Sequence, residues 1–426
     1  MTGAGHPEPA ASPTAAAAAV ADAHRREWAF VLAATARVTR DIDLAQECVQ
    51  DAYVAALDAW ARDGVPDKPG AWLTTAARRR ALDALRRDTR LRSKLPLLVE
   101  PEAVPAPDGT EDGDVIPDDR LRLVFTCCHP ALARPAQVAL TLRLVCGLST
   151  VEIAQAFLVP EATMAARVTR AKKKIATARI PYRVPQEHEL PDRLDAVLTV
   201  VHLLFTTGHT APGGTALVRP ELVERALDLA RMLARLMPDE PEVRGLLALL
   251  LLTDARRATR TGPDGRLLLL AEQDRTGWDA GAIAEGTALV VHALRTARPG
   301  RYALQAAIAA LHASAPDYAR TDWAAVLARY DDLYAVWPSP VVALNRTVAL
   351  AEVAGPAAAL AAVDDLAADG RLAGYRYLPA TRADLLRRLG RTAEAARAYG
   401  EALALCDNQA ERDFLAGRLA GLGRIR

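Results

Sequence analysis

The sequence predicts an all-α protein. Alanine and leucine dominate while aromatic residues make up only 5% of the chain. Apolar residues recur at helical spacing, and no region sustains the period of two that a half-buried strand requires. At 426 residues the chain is too long for one compact core, so several domains are expected. Composition shifts place them. Residues 1–20 read as a disordered Ala/Pro tail that turns helical near its end, and 21–95 as a first helical domain. Residues 96–117, rich in Pro, Asp, Glu and Gly, read as a linker. Residues 118–182 form a second small helical domain, and 186–426 a long helical region after the proline break at 181–185.

The net charge of +1 is uninformative, but its distribution is not. Arg78, Arg79, Arg80, Arg86, Arg87, Arg90, Arg92 and Lys94 form one basic cluster; Arg167, Arg170, Lys172, Lys173, Lys174 and Arg179 form another. The acidic linker lies between them. Two basic patches joined by a flexible acidic segment suggest two contacts with a polyanion.

The second domain carries the sharpest local signal. Ser149-Thr-Val-Glu152 is a capping box, in which hydroxyl and carboxylate satisfy the orphan N–H groups of a helix start. Leu158-Val159-Pro160 makes a turn, with Leu158 at the position where glycine usually allows positive φ. Pro160 suits the start of the next helix. There Met164, Val168, Ala171 and Ile175 form one apolar stripe, and Thr163, Arg167, Arg170 and Lys174 occupy the other side. A helix with short polar and arginine side chains on its free face fits the major groove, where arginine pairs with guanine and lysine neutralises phosphate.

In the first domain an amphipathic helix is expected over 41–60. Its buried side comprises Leu44, Cys48, Val49, Ala52, Tyr53, Leu57 and Trp60; its outer side carries Glu47, Gln50, Asp51 and Asp58. A second helix over 73–87 becomes strongly cationic, with Trp72 at its start as stacking platform or core residue. An acidic helix beside a basic one suggests a protein partner on one side and nucleic acid on the other.

The long C-terminal region contains helix pairs. Gly390, Ala395, Tyr399 and Ala402 stand at the spacing of a tetratricopeptide repeat. A degenerate copy with Gly355, Leu360 and Ala367 has Asp364 at its aromatic position, so repeats are expected over about 340–406. Five cysteines without a C-x-x-C pair point to reduced thiols in a soluble cytoplasmic protein. Cys127-Cys128-His129 has the wrong spacing for zinc, and His202, His292 and His312 read as structural. No catalytic constellation, metal site or cofactor motif is present, so an enzyme is not expected.

These segments resemble a known family. Asp43-Leu-Ala-Gln-Glu-Cys-Val-Gln-Asp-Ala-Tyr53 looks like the core-polymerase-binding helix of region 2 in sigma factors of the sigma-70 family. Trp72-Leu-Thr-Thr-Ala-Ala-Arg-Arg-Arg-Ala-Leu-Asp83 with Arg86-Arg87 is similar to the segment that opens the strands and reads the −10 element. Glu152-Ile-Ala, and Val159-Pro-Glu-Ala-Thr163 through Lys174, resemble region 4, which reads the −35 element. The order and the linker match the extracytoplasmic-function (ECF) class. Phe125-Thr-Cys-Cys-His-Pro-Ala-Leu132, Gln273-Asp-Arg275 with Trp278-Asp279, and 302–312 resemble its subgroup with a C-terminal tetratricopeptide-like (TPR) extension.

The resemblance implies a bacterial transcription-initiation factor whose partners are core RNA polymerase, through the β′ clamp helices and β flap, and promoter DNA. It implies that Glu47, Gln50 and Asp51 face the clamp. Trp72, Arg78, Arg79, Arg80, Arg86 and Arg87 would meet the −10 element, and Thr163, Arg167, Arg170 and Lys174 the −35 element. The extension would modulate activity by binding a protein partner or by docking on the DNA-binding domains. The residues alone also permit a one-component helix-turn-helix regulator with a TPR-like sensor, which leaves the first domain unexplained.

Overall fold

The computed structural model describes residues 13–94, 119–157, 159–186, 188–211, 213–263, 265–295 and 298–423. The acidic linker and Leu158 lie outside the described residues. The fold is all-α: helices follow one another through the described residues, and no strand occurs among them. The chain divides into two compact units, Met1–Val200 and Val201–Arg426, each considered by itself.

The first unit begins with α1 (Pro13–Thr39), α2 (Ile42–Asp63) and α3 (Pro69–Lys94). Helix therefore occupies part of the stretch read as a disordered tail. Its alanine run has the highest helix propensity available, and Ala16 and Val20 are buried. Asp41 starts α2, its carboxylate accepting from the backbone N–H groups of Asp43 at 2.8 Å and Leu44 at 3.1 Å, a standard N-cap. The three helices pack around Leu32, Trp60 and Leu73, each almost fully buried.

Next come α4 (Asp119–Cys127), α5 (Arg134–Leu140), a wide π-helical turn over Thr141–Val145, α6 (Thr150–Ala156) and α7 (Glu161–Thr177). This second group packs on the first through α1, which contacts α4 and the wide turn as well as α2 and α3. The Trp28 indole N–H donates to the Leu144 carbonyl at 3.0 Å. That carbonyl lies in the last turn, where intrahelical partners run out, and Leu148 N–H bonds to Leu142 instead. Gly147 passes close to the same indole with φ +71, and a Cβ there would stand 3.0 Å from the Trp28 ring. Position and backbone conformation both require glycine. The Tyr182 hydroxyl completes the junction by donating to Ala33 O at 3.0 Å.

The division between units falls within α8 (Leu190–His209). The second unit continues with α9 (Pro220–Leu236), α10 (Pro241–Asp254), α11 (Ala280–Ala293) and α12 (Arg301–Ser314). Helix α10, whose apolar run Leu246–Leu252 is buried throughout, is the central one, touching α9, α11 and α12. Gly245 lets α12 approach so closely that a Cβ would lie 2.5 Å from Ala303 N. Glu242 caps α12 by accepting from Tyr302 N–H at 2.9 Å and Ala303 N–H at 3.1 Å, where a carboxylate also favours the helix dipole.

Helices α13 (Trp323–Val336), α14 (Pro340–Val353), α15 (Pro356–Asp369), α16 (Tyr377–Arg388), α17 (Thr392–Ala404) and α18 (Gln409–Leu422) follow, each packed on its predecessor. The α16–α17 hairpin turns at Gly390 (φ +72) and buries Ala395, Tyr399 and Ala402. In the degenerate copy the turn is at Gly355 (φ +86). There Leu360 is buried as expected but Ala367 is exposed, and Val363 fills the core. Its neighbour Asp364 points outward to Arg382 at 2.7 Å. The fully buried Asn408 ties the start of α18 to the α8–α9 loop, donating to Ala211 O and Ala216 O.

Candidate polymerase and nucleic-acid interface

The capping box forms as the sequence predicts: Ser149 Oγ accepts from Glu152 N–H at 3.1 Å, and Ser149 N–H donates to the Glu152 carboxylate at 2.6 Å. Pro160 occupies the N-cap position of α7. Met164, Val168, Ala171 and Ile175 are all buried. Thr163, Arg170 and Lys174 are exposed on the opposite side and Arg167 is half-buried. The four DNA-facing candidates of this helix thus share one accessible face, set by the burial of the other.

Lys172 behaves differently from the rest of its basic cluster. Only 14% of its side chain is exposed, and its ammonium sits 2.7 Å from Asp43 Oδ1 and 2.6 Å from Gln46 Oε1. It therefore joins α7 to α2, across 129 positions of sequence. Nothing in the basic run itself distinguishes Lys172 from Lys173.

On α2, Glu47, Gln50 and Asp51 are exposed on one face, with Asp58 further along it. Leu57, expected on the buried side, belongs to this face instead, 42% exposed, together with Val54 at 62%. Tyr53 and Trp60 already fill the core flanking that position, so Leu57 sits at the edge of the apolar arc and turns outward. An acidic surface bearing two exposed aliphatic side chains is chemically suited to a protein partner, since interfaces set an apolar centre inside a polar rim.

On α3, Arg79, Arg86 and Arg87 are exposed while Arg78 and Arg80 are half-buried. Arg86 approaches Asp83 at 3.5 Å and Arg87 donates to Asp83 O at 3.3 Å. Trp72 is half-buried and packs edge-on against Trp60, ring centroids 5.8 Å apart. Its indole is thus partly core and partly accessible at the head of the basic helix. Burial, then the carboxylates of Glu47 and Asp51, push the Cys48 thiol up, while Arg80 and Arg87 act in the opposite sense. The acidic row of α2 and the basic row of α3 therefore act on the same point from two sides.

Cys127 and Cys128 are buried in and at the end of α4. Burial raises both thiols, Cys128 to about 11, and Cys128 Sγ contacts Thr141 Oγ1 at 3.5 Å. They pack the second group of helices. No helix among the described residues is long and apolar enough to cross a membrane.

Comparison with known proteins agrees with this geometry. Residues 24–91 match the family model Sigma-70 region 2, and residues 122–175 match Sigma-70, region 4. Residues 193–294 match a family of unknown function, DUF6596. The chain is 43% identical over 391 residues to an uncharacterized protein of Rhizobium meliloti (strain 1021), R00370, covering 90% of this chain and 91% of that one. No solved structure matches. A region-2 helical bundle, a region-4 helix-turn-helix and a helical DUF6596 part, in that order, make this chain a member of the sigma-70 family: an ECF-like sigma factor with a C-terminal extension.

Proposed function

We propose that this sigma factor, which binds RNA polymerase and promoter DNA, uses the exposed face of α2 against the β′ clamp helices. Glu47, Gln50 and Asp51 supply charge there, and Val54 and Leu57 supply apolar anchors. The basic side of α3, with Trp72, Arg78, Arg79, Arg80, Arg86 and Arg87, meets the −10 element. Thr163, Arg167, Arg170 and Lys174 of α7 meet the −35 element, while the β flap takes another face of region 4. The extension modulates initiation in the cytoplasm, where polymerase works.

The observation that carries this reading is the pairing of an accessible basic helix with an accessible acidic-aliphatic helix in one unit. A plain operator-binding regulator has no use for the second. The Lys172–Asp43 contact adds a condition. Elements named for positions roughly 25 base pairs apart are about 85 Å apart along a duplex, whereas α7 touches α2 directly. Region 4 must therefore leave region 2 before both elements are held together.

The test is run-off transcription with core polymerase, the full chain and a chain ending after Tyr182. Specific transcripts from the full chain support the sigma reading, and absence of stable core binding overturns it. A rise on truncation assigns the extension an inhibitory role, a loss assigns it a required one, and no change removes its modulating role.

A further inference from the structure

The second unit contains a cavity of about 460 Å³, within the range of small-molecule sites. Its lining comes from α8, α10, α12, α13, α14 and the segment before α11. The motifs at 273–279 and 302–312, unexplained by promoter recognition, converge on it: Trp278, Gln305 and His312 are all lining residues. Arg275 fixes this wall from behind. Its guanidinium stacks 4.7 Å over the Trp278 ring and donates to the carbonyls of His312, at 2.6 Å, and Ala315. His202 and His312, read from sequence as separate structural side chains, meet in the same cavity.

Charge distinguishes this space from its neighbour. The adjoining cavity, of about 400 Å³, is lined by Arg387 and Arg388 with Asp384 and Glu352, and those arginines are paired at 2.9 and 2.8 Å. The larger cavity is lined by Arg256 and by no acidic residue. Arg256 is half-buried; desolvation and the nearby Arg275 both work against its charge, and a cation drawn partly out of water is stabilised by an anion that meets it. Two groups there lack a hydrogen-bond partner: the buried ring nitrogens Trp278 Nε1 and His312 Nδ1. Both imidazoles are held neutral by burial and neighbouring arginines, their pKa values pushed down to about 4.

We propose that this cavity binds a small organic anion, its carboxylate or phosphate group on Arg256 and its flat apolar body between Trp278, Tyr330 and Trp337. Gln305 and Asn345 are the polar side chains that orient it. This goes beyond promoter recognition, and ligand binding is read without polymerase or DNA, so either reading can fail alone.

The experiment titrates the full chain with 8-anilinonaphthalene-1-sulfonate, an anionic aromatic dye, and with N-phenyl-1-naphthylamine, which shares its body but lacks the charge. One saturable dye site per chain is expected. Arg256→Met should weaken the anionic dye about tenfold or more, the scale of a lost charged hydrogen bond, and leave the neutral dye within about twofold. Arg256→Lys should retain most of the anion's affinity. Ala309→Trp, which fills the cavity, should abolish both, with the helical circular dichroism checked for each variant. Competition by 2-naphthoate against 2-naphthyl phosphate then tells carboxylate from phosphate preference. The proposal is overturned by the absence of a saturable site, by equal response of both dyes to Arg256→Met, or by dye binding unchanged in folded Ala309→Trp.

Discussion

The ammonium of Lys172 on α7 lies 2.7 Å from the carboxylate of Asp43 on α2, joining the region-4 helix-turn-helix to the region-2 bundle. Lys172→Ala leaves the buried Gln46 Oε1 without its donor at 2.6 Å, so it should loosen the junction by about 1–2 kcal/mol. Asp43 is 70% exposed, and Asp43→Ala should cost ~0.5 kcal/mol or less. Small-angle scattering should show Lys172→Ala more expanded than wild type, with Asp43→Ala between them. Indistinguishable profiles for all three would mean the contact does not hold the junction.

Base reading and phosphate binding should separate on α7. Arg170→Ala is expected to cost ~1–3 kcal/mol on a preferred duplex and to relax preference at one position. Lys174→Ala should weaken all duplexes alike and reduce the slope of log affinity against log salt by about one. Fluorescence anisotropy over a salt series with matched and scrambled duplexes reads both. Equal loss on both duplexes for Arg170→Ala would assign it to phosphate.

Ser149→Ala removes the oxygen that accepts from Glu152 N–H, which should destabilise the helix-turn-helix by ~1 kcal/mol. Thermal melts should shift down, and Ser149→Asp, which keeps an acceptor, should restore the wild-type value.

Acid should weaken the second unit through its histidines. His209, 7% exposed, is pushed down from 6.5 to about 2 by burial and by Arg260 and Arg256. In the unfolded chain it titrates near 6.5, so below that pH the unfolded state binds the extra proton. Its contribution to stability is complete above pH 6.5 and is lost as pH falls towards 2. At ~1.4 kcal/mol per pH unit, His209 alone should remove roughly 2 kcal/mol between pH 7 and 5. Urea melts at both values, with His209→Gln as the flattened control, check the sign and size.

How much the sequence revealed depended on distance along the chain. The stripe Met164, Val168, Ala171 and Ile175, the capping box at Ser149 and the turn at Gly390 were legible, because each is a local pattern of caps, periodicity or φ. Lys172 was not, because its partners are on another helix and its neighbours in sequence are chemically the same. Periodicity places Leu57 in the core because it gives an arc rather than its edge. The cavity was hidden for a related reason: Arg256, Trp278, His312 and Asn345 belong to different elements, and only packing makes them neighbours.

The half-buried Lys172 also bears on how salt and DNA would act in the proposed opening. One cation of the second basic cluster is occupied inside the closed first unit and becomes available only when region 4 departs. In the proposed promoter-bound state, opening would hand the DNA an additional positive charge, and each phosphate so neutralised would release counter-ions. A polyanion would compete with Asp43 for the same ammonium, and DNA would then favour the open form. Salt loosens the internal pair and weakens the external one, and the two effects oppose each other within a single side chain.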